Sequence, residues 1–239
     1  MMPTIHVIDD DQSFLRSMGR RLKSHGLNVA TYSSAAEFLI RPDQDSPGCV
    51  LTDLQMPNRD GFELQQNLAE SSNPMPLIFV TGKGDIPTSV RAMRAGAEDF
   101  LTKRAETPEL LDAINRALER DSRNRMARGQ QSIARDMIDS LSARELQMLL
   151  GVVQGCSNRE MSEHYGLAER TVKLYRTNLT RRLGIYAPVD LARLVQEAGL
   201  TTADLASAID FPPEAPNAGP PEAPNVTHEE SSEVSSEES

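Results

Sequence analysis

The sequence has only two cysteines, Cys49 and Cys156, among its 239 residues. Two thiols so far apart make neither a disulfide framework nor a metal-ligand spacing. The histidines His6, His25, His164 and His228 are scattered, so a zinc site has no support. No apolar stretch approaches the ~20 residues that span a bilayer. The N-terminus, MMPTIHVIDD, lacks a basic segment followed by an apolar one, so no signal peptide is read there. A cytoplasmic protein without a membrane partner is the expectation. Lysine and arginine are also missing from residue 201 onward, where nine acidic side chains stand. The rest of the chain carries 26 acidic against 25 basic residues, so the net charge of -10 belongs almost wholly to this tail.

The first ~120 residues alternate short apolar runs with helical patterns, the mark of a parallel α/β sheet. The strand candidates are Ile5–Ile8, Asn28–Thr31, Cys49–Thr52, Leu77–Val80 and Asp99–Leu101. Between them, Phe14, Leu15, Met18 and Leu22 repeat at helical spacing. Ser34 and Glu37 form a capping box in SAAE. A third helix carries Phe62, Leu64 and Leu68. A fourth starts near Pro87, with Val90 and Met93. A fifth opens at TPEL, with Thr107 as cap and Pro108 in the first turn. Residues 121–138, polar with four arginines, either extend this fifth helix or form a linker.

An all-helical pattern follows. SARE (Ser142–Glu145) and SNRE (Ser157–Glu160) are capping boxes, and Gly166 ends the second helix they open. A long helix covers about Ala168 to Leu183 and is closed by Gly184. Another covers Pro188 to Ala198. The tail, residues 201–239, repeats PPEAPN and ends in EESSEVSSEES. Such a composition cannot bury enough apolar surface to offset ordering entropy, and disorder is expected.

The stretch VIDDDQS drives a buried strand straight into three carboxylates, which repel one another and are costly to desolvate. In a doubly wound sheet, functional groups gather beyond the carboxyl ends of the strands. Those ends carry Asp9, Asp10 and Asp11, then Asp53 in LTDLQMP, Thr81 in FVTGKGD and Lys103 in DFLTK. Hard oxygen ligands suit Mg²⁺. An aspartate facing such an ion, with a lysine and a threonine beside it, is equipped to accept a phosphoryl group. The TGKGD stretch is not a phosphate-binding loop: Leu77 stands where that motif needs glycine, and Gly84 follows Lys83.

These stretches, with AMRAGAEDFLTK, resemble the receiver domain of bacterial two-component response regulators of the FixJ-like branch, over residues 4–120. The resemblance implies that Asp53 is the phosphoacceptor. It implies that Mg²⁺ is held by Asp10 directly, by Asp9 largely through water, and by Asp53 and the Gln55 carbonyl. Thr81 and Phe100 would be a switch pair, and Lys103 the phosphate partner. Asp11 is assigned to the first turn of the next helix, at the positive end of its dipole. One departure concerns Arg104, which follows Lys103 where the family usually has proline, often after a cis bond. A cis bond to a non-proline costs ~3 kcal/mol, so a trans loop is expected here.

On the helix 168–184, Val172, Tyr175, Leu179 and Leu183 share one face, while Arg170, Lys173, Leu174, Thr177, Thr180 and Arg181 point the other way. Residues 139–200 resemble the LuxR-type DNA-binding domain, a helix-turn-helix. By that resemblance Lys173, Leu174 and Thr177 meet base edges, and Arg170, Arg176 and Arg181, with Asn158 and Arg182, hold phosphates. Tyr175 stands where the family usually has histidine. Ala168 stands where a capping serine is common, a loss of ~1 kcal/mol.

The expected architecture is therefore a five-stranded parallel doubly wound α/β receiver, a small all-α four-helix helix-turn-helix domain, and a disordered acidic tail. The resemblance implies a transcriptional regulator. A sensor histidine kinase phosphorylates Asp53, Thr81 and Phe100 shift, a homodimer forms, the second domain is released, and double-stranded DNA is bound. An enzyme is not expected: phosphohydrolases with an aspartate nucleophile need a second aspartate where Gln55 stands. The alternative is a phosphorylation-independent DNA-binding regulator with a degenerate receiver, supported only by Arg104. For the tail, a solvated extension is favoured over an acidic DNA mimic that competes for the recognition helix.

Overall fold

The computed structural model describes residues 2–41, 45–56, 61–71, 73–82 and 85–209. Continuous apolar runs need cover on both faces, and a parallel sheet between helices provides it. The strands are β1 (Thr4–Ile8), β2 (Asn28–Tyr32), β3 (Gly48–Thr52), β4 (Leu77–Thr81) and β5 (Asp99–Thr102). They pair in parallel in the order β2-β1-β3-β4-β5. Every residue of the inner strands β3 and β4 is buried. Around the sheet lie α1 (Gln12–Lys23), α2 (Ala35–Leu39), α3 (Gly61–Glu70), α4 (Ile86–Arg94) and the start of α5 (Thr107–Asp139). One core joins α1 and α5 to one face of the sheet, and a second joins α2, α3 and α4 to the other.

The strand order reverses between β1 and β3, so the loops after these two strands open into one crevice. Ile8 pairs with Thr52, and the Asp53 N–H donates to the Ile8 carbonyl at 3.0 Å. That register brings Asp9 and Asp53 side by side.

Helix α5 is a single helix of 33 residues, so residues 121–138 extend the fifth helix. Its cap differs from expectation. Thr107 is the first helical residue and Glu106 the N-cap, because the Thr107 hydroxyl is engaged by the Arg21 guanidinium at 3.0 Å. Along its length α5 is tied to the receiver by side chains: Arg116 to Asp99, Arg120 to Glu98, and Arg128 to Asn73.

The second unit contains α6 (Ala143–Val153), α7 (Asn158–Tyr165), α8 (Glu169–Leu183), α9 (Pro188–Glu197) and α10 (Thr202–Ile209). Both capping boxes form, Ser142 with Glu145 and Ser157 with Glu160. The α7–α8 turn passes through Gly166 at φ 63°, which L side chains rarely adopt. The core takes Ala134 and Ile138 from α5 and Leu205 from α10.

Helix α10 corrects the expectation that a structureless tail begins at residue 201. Thr201 caps it: its N–H and hydroxyl both donate to Asp204 at 2.7 Å, and its hydroxyl accepts the Asp204 N–H at 3.2 Å. Leu205 is buried against the domain, so the helix has both a cap and an anchor. Among the described residues the helical unit thus has five helices of its own rather than four, the last reaching residue 209. The remainder of the tail, 210–239, lies outside the described residues, as do Lys83 and Gly84.

Candidate functional site

Asp9 follows β1 and is fully buried. Its Oδ1 accepts the Asp11 N–H at 2.9 Å, and its Oδ2 lies 2.6 Å from the Lys103 ammonium. Burial pushes the Asp9 carboxyl above its ordinary range, while Lys103 and the Asp11 N–H act against that. Asp53 follows β3. Its Oδ1 accepts the N–H of Leu54 at 2.6 Å, and its Oδ2 lies 2.8 Å from the same ammonium. For Lys103, burial favours the neutral amine, but the two carboxylates outweigh it and raise its pKa.

Lys103 reaches this place without a cis bond. The Lys103–Arg104 peptide is trans, and the two residues occupy a turn closed by the Ala105 N–H on the Thr102 carbonyl at 2.9 Å. The Lys103 N–H donates to the Thr81 carbonyl at 2.8 Å, which ties the turn after β5 to the end of β4. On α1, Arg21 holds the Ala105 carbonyl at 2.8 Å and steadies the loop from behind. Thr81 is buried, and half-buried Phe100 packs on the Phe79 ring.

The carboxylates of Asp9, Asp10 and Asp53 each offer an oxygen within 4.8 Å of the others. Three hard oxygens, with exposed Asp10 and Gln55 on the open side, fit a magnesium ion by donor chemistry. Asp11 has a role of its own: its carboxylate caps α1 by accepting the Ser13 N–H at 2.8 Å and the Phe14 N–H at 3.3 Å. Sequence reasoning missed Phe14, whose ring lies 4.5 Å from the Lys103 ammonium. It also missed Gly61, where a Cβ would stand 2.8 Å from the Asp53 carbonyl and 2.6 Å from the Phe79 ring. The aromatic at the helix start and the glycine in DGFEL were the visible signals.

The second candidate surface is α8. Val172, Leu179 and Leu183 are buried and Tyr175 is half-buried, while Arg170, Lys173, Thr177 and Arg181 are exposed. Leu174 is 58% exposed, an uncommon exposure for a leucine. Arg176 is half-buried and donates to Asn158 at 2.6 Å. Arg182 departs from expectation. It pairs with Glu145 at 2.9 Å and donates to the Ser140 carbonyl, so it faces its own domain. Ala168 is the N-cap of α8 and gives it no side-chain bond.

Residues 5–115 match the response regulator receiver domain, and residues 139–195 match the bacterial regulatory proteins of the luxR family. The chain belongs to the two-component response regulators. It is 36% identical to Nodulation protein W of Bradyrhizobium diazoefficiens over 82% of this chain and 87% of that one. It is 35% identical to the transcriptional regulatory protein FixJ of the same organism, over 82% of this chain and 96% of FixJ. The solved structure of response regulator StyR superposes with a TM-score of 0.72 at 38% identity, covering 82% of this chain and all of that one. As a response regulator of this type the protein is a two-component transcriptional regulator. Its receiver implies a histidine kinase partner and its LuxR-type domain implies DNA binding. Receiver domains bind Mg²⁺ in the acidic pocket, where this chain has its aspartate cluster. Among the described residues, no helix is long and apolar enough to cross a membrane.

Proposed function

We propose that Asp53 is the phosphoacceptor of this regulator and that its phosphorylation promotes a dimer that presents two α8 helices to DNA. The observation that carries this is the Lys103 ammonium held between Asp9 and Asp53. An Asp53 oxygen attacks the phosphorus, and the bond to the kinase histidine breaks. Lys103 then exchanges its Asp53 contact for a phosphoryl oxygen, and the Thr81 hydroxyl donates to another. Asp9, Asp10, Asp53 and the Gln55 carbonyl would hold Mg²⁺, which when bound supplies neutralising charge. Phe100 turns into the space that Thr81 leaves.

Moving a two-state equilibrium from mostly off to mostly on needs ~5.5 kcal/mol. Two or three charge-assisted hydrogen bonds at ~1.5–3 kcal/mol each reach that order. A trans Lys103–Arg104 turn that still delivers the ammonium favours this reading over a degenerate receiver. On α8, Lys173, Leu174 and Thr177 read base edges in the major groove, and Arg170, Arg176 and Arg181 hold phosphates.

The test is intact mass after incubation with acetyl phosphate and Mg²⁺. One added phosphoryl group is expected, absent with EDTA and absent in Asp53→Ala. Labelling that persists in Asp53→Ala refutes the assignment.

A further inference from the structure

The FixJ comparison covers 96% of that protein but 82% of this one, so about a fifth of this chain lies beyond what the two share. Part of that excess is the acidic tail. Between Asp210 and Glu238 it carries eight carboxylates and no lysine or arginine. The fold brings Ile209, the residue before this segment, to a defined place against the helical core. Ser207 and Ala208, at the end of α10, line a cleft with Asp139 and Leu146. Arg182, at the end of α8, bonds Ser140 and Glu145 in the same α5–α6 junction. The described chain therefore ends, at Ile209, on the α5–α6 junction that also receives Arg182 from the carboxyl-terminal end of α8.

The charges are complementary. From Arg170 to Val189 there is no acidic side chain, and Arg170, Lys173 and Arg181 are exposed without a salt bridge among the described residues. Beside Lys173 a shallow groove runs past Asn158, Arg176 and Thr180. Thirty residues reach about 30 Å as a random coil, against about 22 Å for the length of α8. The tail can thus track the whole helix. The basic helix α1 belongs to the receiver rather than to the unit that carries α10, and its Arg21 is committed to Ala105 and Thr107.

We infer that residues 210–239 dock on the exposed basic face of α8 and compete there with DNA phosphates. This rests on the reading of α8 as the DNA-contacting helix. Tethering gives the tail an effective concentration in the millimolar range, so even weak ion pairing populates the contact. Salt weakens both partners of the competition, and the tail's effect fades as ionic strength rises.

The experiment compares three full-fold proteins: the intact chain, a chain ending at Ile209, and a full-length chain with the eight tail carboxylates replaced by amides. Amide NMR spectra without DNA are recorded at about 50 and 400 mM KCl. Affinity for a random-sequence 30-base-pair duplex is measured in the same buffers. At low salt, the Arg170, Lys173, Thr177 and Arg181 amides of the intact chain are expected to differ from those of both variants, and to converge with them at high salt. Both variants are expected to bind the duplex about tenfold more tightly at low salt, with the gain lost at high salt. Identical α8 spectra in all three proteins overturn the docking, even if affinities differ, because repulsion at a distance then suffices. Shifts that survive neutralisation overturn the electrostatic basis. If none of the three binds the duplex even after phosphorylation with acetyl phosphate and Mg²⁺, the DNA reading of α8 fails, while the spectra still decide the tail contact.

Discussion

The Asp121 carboxylate accepts the backbone N–H of Gly48 at 3.0 Å, joining α5 to the start of β3 across 73 residues. The same oxygen takes Arg125 Nε at 2.9 Å, and Arg125 reaches on to the carbonyls of Asp45 and Ser46 at 2.6 Å each. Asp121 is 1% exposed, so its loss strands a buried N–H and leaves the Arg125 guanidinium without a counter-charge. Asp121→Ala is expected to destabilise the protein by about 3 kcal/mol in urea unfolding. Asp121→Asn, which keeps an acceptor, is expected to cost less than half of that. Equal midpoints for Asp121→Ala and the parent would show that the clasp contributes nothing.

His6 gives the receiver an acid sensitivity of its own. It is buried against Tyr32 and Phe38, and burial together with the nearby Arg41 charge lowers its pKa to about 4. The unfolded chain therefore binds a proton between about pH 6.5 and pH 4 that the folded chain refuses. The stabilisation is whole above pH 6.5 and is lost as pH falls toward 4. Urea midpoints at pH 7, 5.5 and 4.5 should fall more steeply for the parent than for His6→Gln. Parallel slopes would assign the acid lability elsewhere.

Helix α8 starts without a capping side chain at Ala168, whose backbone already has the extended geometry of an N-cap. Ala168→Ser supplies an acceptor for an orphan N–H of the first turn and should stabilise the LuxR-type domain by about 1 kcal/mol. A thermal shift of zero or below would mean that the hydroxyl cannot reach that turn.

Two cations on α8 separate folding from recognition. Arg182 is bonded to Glu145 and Ser140, whereas Lys173 is exposed. Arg182→Ala should lower the stability of its domain by about 1 kcal/mol. Lys173→Ala should leave stability unchanged and weaken specific DNA binding by about tenfold or more. Unaltered affinity and sequence preference in Lys173→Ala would remove it from the base-reading set.

The strands were legible because a fully covered parallel strand is a continuous apolar run, as in β3 and β4. The capped helices α6 and α7 were legible because a capping box is a local pattern. Asp9, Asp53, Thr81 and Lys103 were found together because each stands at or just past a strand end in a sheet of known winding. The contacts that were not legible join residues far apart in the chain. Nothing near Asp121 announces Gly48, and nothing near Arg182 announces Glu145. Helix α10 escaped because its cap and Leu205 sit at the edge of an acidic segment whose overall composition argues against any fold.

Because α5 runs unbroken from the receiver domain into the core of the LuxR-type domain, chain length there acts as an angular coordinate. Each residue of an α-helix advances by 100° and 1.5 Å. One residue inserted near Gly129 would swing the helix-turn-helix by about 100° round the rod while moving it only about 1.5 Å along it. Seven inserted residues would shift it by about 10 Å and return it to within about 20° of its original bearing. The facing of α8 is thus written in the number of residues between Asp121 and Ala134.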